Sequence, residues 1–290
     1  MFEEKYIKVK DCNIYCKIFN SKSKSIPLIL VHGGLGSNHL YLESINELSN
    51  EMPVIFYDQL GCGLSDIPKD NSNYSLNYFT EELRCIIKSL GYKKVNLLGS
   101  SWGTMLAVNL CLKYSLPIVN SLVLSGACLD VDMWIRDSRK NIKNLSQNYL
   151  EIVEKCEETS DYFCEDYLTI MQEYNNTYLC RMDPLPEILV ECNKNLNNDL
   201  YFYMWGPSEF TCNGRLKGYS FLKNLKRLKM PVLYTCGEFD ECSPEAAKIY
   251  QHHTPGSTLV IFKNASHTHH LEKVKEYNTI VRNFLNQNKS

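Results

Sequence analysis

The run Val95-Asn96-Leu97-Leu98-Gly99-Ser100-Ser101-Trp102-Gly103 puts a serine between two glycines at the seam of two apolar stretches. A serine hydroxyl is a weak nucleophile at neutral pH, and enzymes that use one mount it on a tight strand-to-helix turn where a base can reach it. Glycines on either side let such a turn close. A strand must then end near residue 99 and a helix must begin at once. Because Gly and Ser are common, G-x-S-x-G arises by chance in roughly one chain in ten of this length. Its weight depends on the sequence around it.

The surrounding sequence repeats the alternation of strand and helix. Two short strands flank Asp11-Cys12-Asn13 within residues 6–19, and Leu28–Val31 reads as a buried strand. A helix is expected near 38–49, then a strand at Val54–Tyr57. The helix expected near 77–90 gathers Phe79, Leu83, Ile86, Ile87 and Leu90 on one face and ends at Gly91. The strand at 95–99 leads into a helix over Trp102–Tyr114 that is apolar on most sides, and Leu122-Val123-Leu124 is another buried strand. From about 129 to 226 the pattern gives way to polar, charged and aromatic helical stretches, with Asp183-Pro184 suited to an N-cap and first helical position. Alternation resumes with a strand at 231–236, a helix opened by Ser243-Pro244, a strand at Thr258–Phe262 and a final helix over 271–286. Such a series implies a mainly parallel sheet covered on both faces. The expected organisation is an α/β domain made of residues 1–128 and 227–290, with 129–226 inserted as a helical cap.

A formal net charge of −2 over 290 residues gives no global attraction to nucleic acid or to an anionic membrane surface. The expected partner is a small molecule or peptide. Residues 1–10 hold acids and lysines rather than an apolar leader, and no later stretch has the length of a membrane span, so a soluble, cytoplasmic protein is expected. The thirteen cysteines are scattered, odd in number and without a C-x-x-C pair, which reads as reduced thiols.

In a parallel sheet, catalytic groups belong at the carboxyl ends of strands. Ser101 follows one strand, Asp240 follows another after Gly237-Glu238-Phe239, and His267 follows Thr258–Phe262. The chain order Ser, Asp, His is that of α/β-hydrolase triads. In those roles Ser101 attacks a carbonyl, His267 takes and returns the proton, and Asp240 fixes the imidazole. The run His267-Thr268-His269-His270 also reads as a loop tract or a metal-binding patch, but no other His, Cys or acid stands at a supporting spacing, so no metal is expected. His32-Gly33-Gly34-Leu35-Gly36 sits where esterases place an oxyanion loop, making the N–H groups of Gly34 and Trp102 the candidate oxyanion hole. His32 is read as structural. The run Asp58-Gln59-Leu60-Gly61-Cys62-Gly63-Leu64-Ser65 lacks the Gly-Lys-Ser/Thr of a phosphate loop and is expected to shape the pocket floor, with Asp58 structural. His252 and His253, at the end of a helix, read as surface residues.

These residues resemble the prolyl aminopeptidase (proline iminopeptidase) family of α/β-hydrolases, in the branch that includes the tricorn-interacting aminopeptidase of archaea. The resemblance runs over essentially the whole chain. It rests on H-G-G-x-G at 32–36, D-Q-x-G-x-G-x-S at 58–65, G-x-S-W-G at 99–103, W-G-P-x-E-F at 205–210 and G-E-x-D-E at 237–241. It implies an α/β-hydrolase fold, with a mainly parallel eight-stranded sheet and an inserted helical cap. It also implies that Glu209 and Glu241 hold the free amino terminus of a short peptide, with no cofactor. Leu35 departs from the family's H-G-G-P-G.

Beside the resemblance, Glu241 adjoins Asp240, whereas Glu209 reaches the site only if the inserted helices fold over the sheet's carboxyl edge. Glu241 also reads as an acid favouring the N-terminus of the helix at Ser243, and Glu209 as a solvated loop acid. Tyr201, Phe202, Tyr203, Trp205 and Phe210 are candidates for a pocket wall or for cap packing. Three readings stand: a serine aminopeptidase, an esterase or amidase with no use for Glu209 and Glu241, and a receptor that keeps the fold without turnover. Activity is expected to fall below about pH 6 as His267 protonates, and again in alkali as the substrate ammonium is lost near about pH 8.

Overall fold

Short apolar runs, too brief for helices, become the sheet. The computed structural model describes residues 2–114 and 118–288. Its strands are β1 (Phe2–Val9), β2 (Cys12–Phe19), β3 (Leu28–Val31), β4 (Val54–Tyr57), β5 (Val95–Ser100), β6 (Val119–Ser125), β7 (Val232–Gly237) and β8 (Thr258–Phe262). They form one sheet in the order β1-β2-β4-β3-β5-β6-β7-β8. β2 pairs antiparallel with β1 and β4, and every pair from β4 to β8 is parallel.

Successive residues of the central strands enter different cores, as a period of two requires. Ile29, Ile55, Leu97, Leu122 and Tyr234 join one apolar cluster, whereas Leu30, Phe56, Leu98, Val123 and Leu233 join the other. The first face is covered by α1 (Leu76–Leu90) and α2 (Trp102–Tyr114), the second by the 3₁₀ turns Leu40–Asn50 and the last helix of the chain. Ser75 caps α1 by accepting from Tyr78 N, and Gly91 ends it in the left-handed region at φ 73°.

Between β6 and β7 the chain forms α3 (Val131–Leu145), α4 (Tyr149–Thr159), α5 (Glu165–Tyr174) with a wide turn over Asn175–Leu179, α6 (Glu187–Lys194) and α7 (Asn198–Met204). Most members of a third apolar cluster, Ile142, Val153, Tyr167, Ile170, Tyr174, Tyr178 and Phe210, come from this segment. Asn197 fastens it to the sheet's loops. Its side chain caps α7 through Leu200 N, its N–H donates to Gly36 O at 2.9 Å, and its Nδ2 donates to Gly61 O at 2.9 Å.

After β7 come α8 (Pro244–His253), α9 (His269–Glu272) and α10 (Val274–Gln287). Ser243 caps α8 through Ala246 N, and His252 and His253 at its end are exposed. Two local expectations fail. No helix starts at Asp183-Pro184, where the peptide is cis; α6 begins at Glu187 after Pro186. The single final helix is broken at Lys273, where ψ of 44° leaves the helical region.

Candidate active site

The turn at 99–103 is as tight as its glycines demand. A methyl at Gly99 would stand 2.6 Å from Gly103 O, and one at Gly103 would collide with the Val31 carbonyl. Between them Ser101 has φ 52°, a left-handed conformation that costs a β-carbon-bearing residue on the order of 1–2 kcal/mol. Ser101 N donates to Ser125 O at 2.9 Å, while Ser101 O accepts from Thr104 N at 2.8 Å and from Thr104 Oγ1 at 2.6 Å. The serine is therefore held at the end of β5 with its side chain toward a cavity.

His267 Nδ1 lies 2.6 Å from Asp240 Oδ1. Asp240 also accepts from Gly237 N at 3.0 Å and Cys242 N at 2.8 Å. Burial alone would raise its carboxyl, but the charge and hydrogen bond of His267, with His269 beside them, hold it well below the usual carboxylate range. The loop carrying His267 is fixed by the inserted segment, since His267 N donates to Tyr178 O and Thr268 N to Leu179 O, each at 2.9 Å. Ser101 and His267 line one cavity of about 850 Å³.

Glu209 and Glu241 line that same cavity. Tyr201 Oη donates to Glu209 Oε1 at 2.7 Å, and Trp134 Nε1 donates to Glu209 O at 3.2 Å. Glu241 Oε2 stands 3.9 Å from His267 Nε2, and its Oε1 is buried with no hydrogen-bond partner among the described residues. No lysine or arginine among the described residues pairs with either acid. Burial raises the Glu209 carboxyl, and burial together with the nearby charge of Glu209 raises Glu241 well above its ordinary value. The imidazole responds in turn. Burial opposes its charged form, yet Asp240, then Glu241 and Glu209, push His267 up to about 9. The fall expected below pH 6 took no account of these acids, because they come from segments far apart in the chain.

A smaller apolar pocket opens beside Ser101. All three tryptophans of the chain, Trp102, Trp134 and Trp205, line it with Leu35, Met105 and Tyr201. Leu35, standing where the resembling family has proline, is thus a pocket wall. Of the other aromatics, Phe202 lines the larger cavity, Phe210 lies in the core of the inserted helices, and Tyr203 packs on Tyr74.

The loop at 32–36 is braced from behind. Gly34 lines both cavities with Ser101, and Gly33 N donates to Tyr41 Oη at 2.6 Å. His32 Nδ1 donates to Gly33 O and its Nε2 accepts from Gln59 N. Gln59 also donates to His32 O at 2.7 Å and accepts from Trp102 Nε1 at 2.8 Å. Residues 58–65 therefore do not line either cavity, as the pocket-floor expectation required; they tie the loop at 32–36 to α2. Asp58 is buried and accepts from His39 N and Nδ1, each at 2.8 Å.

Sequence reasoning passed over Trp134, whose ring meets His267 edge to face at 5.7 Å, and Tyr41 and Gly126. A methyl on Gly126 would stand 2.5 Å from His267 Cε1. Gly126 could have been found from its place directly after β6; the aromatics carry no motif.

The family described as alpha/beta hydrolase fold matches residues 26–274. A proline iminopeptidase of Heyndrickxia coagulans is 36% identical over 287 residues, covering 99% of each chain. One from Saccharolobus solfataricus is 33% identical over 288 residues, covering 98% of this chain and 93% of its own. The crystal structure of a proline iminopeptidase from Mycobacterium smegmatis superposes with a TM-score of 0.89 at 26% identity, covering 99% of each chain.

Proposed function

The chain belongs to the α/β-hydrolase family, among the proline iminopeptidases, and on that footing we propose how its site works as a serine aminopeptidase of prolyl type. It releases the N-terminal residue, proline or another largely apolar one, from short peptides with a free amino terminus. Ser101 Oγ attacks the first peptide carbonyl as His267 Nε2 takes its proton. The N–H groups of Gly34 and Trp102 meet the oxyanion, and Asp240 stays anionic and holds the ring. The C–N bond breaks as His267 returns the proton to the leaving amine, leaving an acyl-enzyme. Water, deprotonated by His267, attacks the acyl carbon, and the Ser101 oxygen leaves and regains its proton.

The observation that carries this reading is the pair of acids facing the cavity without a cation. A buried carboxylate with an unpartnered oxygen is costly unless a ligand completes it. An N-terminal proline is a secondary ammonium with two N–H donors, one for Glu209 and one for Glu241, and its ring suits the tryptophan-lined pocket. The larger cavity takes the leaving peptide, and residues 129–226 act as a cap that limits its length. A cytoplasmic setting is part of the same proposal; no helix among the described residues is long and apolar enough to cross a membrane.

The test compares a prolyl amide with its N-acetyl form on wild type and Glu209→Gln. Acetylation should abolish turnover in wild type. A charge-assisted hydrogen bond contributes about 1.5–3 kcal/mol, so the variant should lose roughly tenfold to a hundredfold on the free amine. Equal wild-type rates on the two substrates would leave an esterase or amidase instead.

A further inference from the structure

The run at 267–270 holds three histidines, and the proposed reaction uses one. His270 donates Nε2 to Tyr41 O at 3.2 Å, while burial pushes it down to about 3. His269 is different. It is fully buried, stacked on Phe262 with ring centroids 5.2 Å apart, and lines neither cavity, so no substrate touches it. Yet its two ring nitrogens reach the supports of every triad member.

On one side, Nδ1 lies 3.2 Å from Ser266 O and 3.4 Å from Asp240 Oδ2. Both oxygens can only accept, so Nδ1 carries the proton. On the other side, Nε2 lies 3.0 Å from Ser125 Oγ and 3.0 Å from Thr235 Oγ1. Ser125 and Thr235 are a registered pair at the carboxyl ends of β6 and β7, and Ser125 O accepts from Ser101 N. Ser266 immediately precedes His267.

We propose that His269 is a positioning residue for the triad: its single N–H, shared by the Asp240 carboxylate and the Ser266 carbonyl, sets the orientation of the acid and of the loop that carries the base. With the proton on Nδ1, the one lone pair of Nε2 accepts from the hydroxyl of Ser125 or of Thr235. Carboxylate orientation fixes the line from Asp240 through His267 to Ser101, so loss of this N–H lowers kcat and leaves KM alone.

This rests on the Ser101, His267 and Asp240 assignment, and the variants separate the two ideas. In His269→Asn the amide nitrogen falls near the position of Nδ1 and keeps the donor to Asp240. In His269→Gln the amide reaches the position of Nε2 and keeps the tie to Ser125 and Thr235. The expected result is kcat within a few-fold of wild type for His269→Asn and a fall of about tenfold to a hundredfold at unchanged KM for His269→Gln, the size of one hydrogen bond to a charged group. Equal kcat in the two, or the reverse order, would overturn the proposal and leave a tie between strands. If Asp240→Ala keeps wild-type kcat, the triad assignment fails instead, and this inference with it. The wild-type protein offers a check that needs no variant to fold: imidazole ¹⁵N shifts should give His269 as the Nδ1–H tautomer, and an Nε2–H tautomer would also overturn the proposal.

Discussion

The Nε2 atom of His267 stands 3.9 Å from Oε2 of Glu241, so the nitrogen proposed to take the serine proton faces a second carboxyl group besides Asp240. On the proposed function, the acid that would capture the substrate ammonium also stabilises the protonated form of the proposed base. Binding of the substrate ammonium is expected to offset that field.

This coupling predicts a pH dependence. With His267 pushed up to about 9, the imidazole is mostly protonated at pH 7. Labelling of Ser101 by an uncharged phosphonate needs the neutral ring, so its rate should rise with pH to a midpoint near 9. Glu241→Gln removes one raising charge and should move that midpoint down. A wild-type midpoint at 6.5 would count against the coupling, whereas turnover of free-amine substrates should show a lower midpoint than labelling does.

Ser101→Gly should stabilise the protein while abolishing activity. Relief of the strained φ is worth on the order of 1–3 kcal/mol, partly offset by about 1 kcal/mol of added freedom in the unfolded chain. Ser101→Ala keeps the strain and should melt below the glycine variant. Thermal unfolding of the two proteins, compared side by side, checks the sign.

Gly126→Ala should cost kcat more than tenfold in a folded protein, because the new methyl would press on the His267 ring at a backbone φ of 55° that also disfavours alanine. Circular dichroism with kinetics on the same preparation separates misplacement of the base from unfolding.

Glu82, buried in α1, predicts a loss of stability in alkali. Its Oε2 accepts from Leu60 N at 3.1 Å, and burial pushes its carboxyl up to about 8. A raised acid binds its proton more tightly when folded, so the contribution is full below the unfolded value near 4.5 and is lost as pH rises through about 8. His267 acts in the same direction, its share being full below 6.5 and lost as pH rises through about 9. Glu82→Gln keeps an acceptor for Leu60 N and should recover on the order of a few kcal/mol at pH 9 relative to pH 5, read from urea unfolding at the two pH values. An unchanged difference between the two pH values would exclude a titrating Glu82.

The sheet was legible because strands covered on both faces are apolar at every position, as Leu28–Val31 and Val54–Tyr57 are. The turn at 99–103 was legible because backbone as close as Gly99 to Gly103 admits no other residue type. Asp183-Pro184 misled because the same pair serves a helix start or a turn, and only the surrounding packing chooses. Tyr41 and Trp134 were silent because an aromatic that braces a site has the same local pattern as one that fills a core.

What the sequence determined by itself was therefore the set of chemical groups and the strand ends that carry them, Ser101, Asp240 and His267 in that order. Tertiary structure decided their charge and direction. Glu209, in the inserted segment, and Glu241, after β7, both raise His267, and His269 Nδ1 stands 3.2 Å from Ser266 O and 3.4 Å from Asp240 Oδ2. Electrostatic energy depends on distance and burial, which separation along the chain does not encode, so the protonation of His267 belongs to the folded molecule alone.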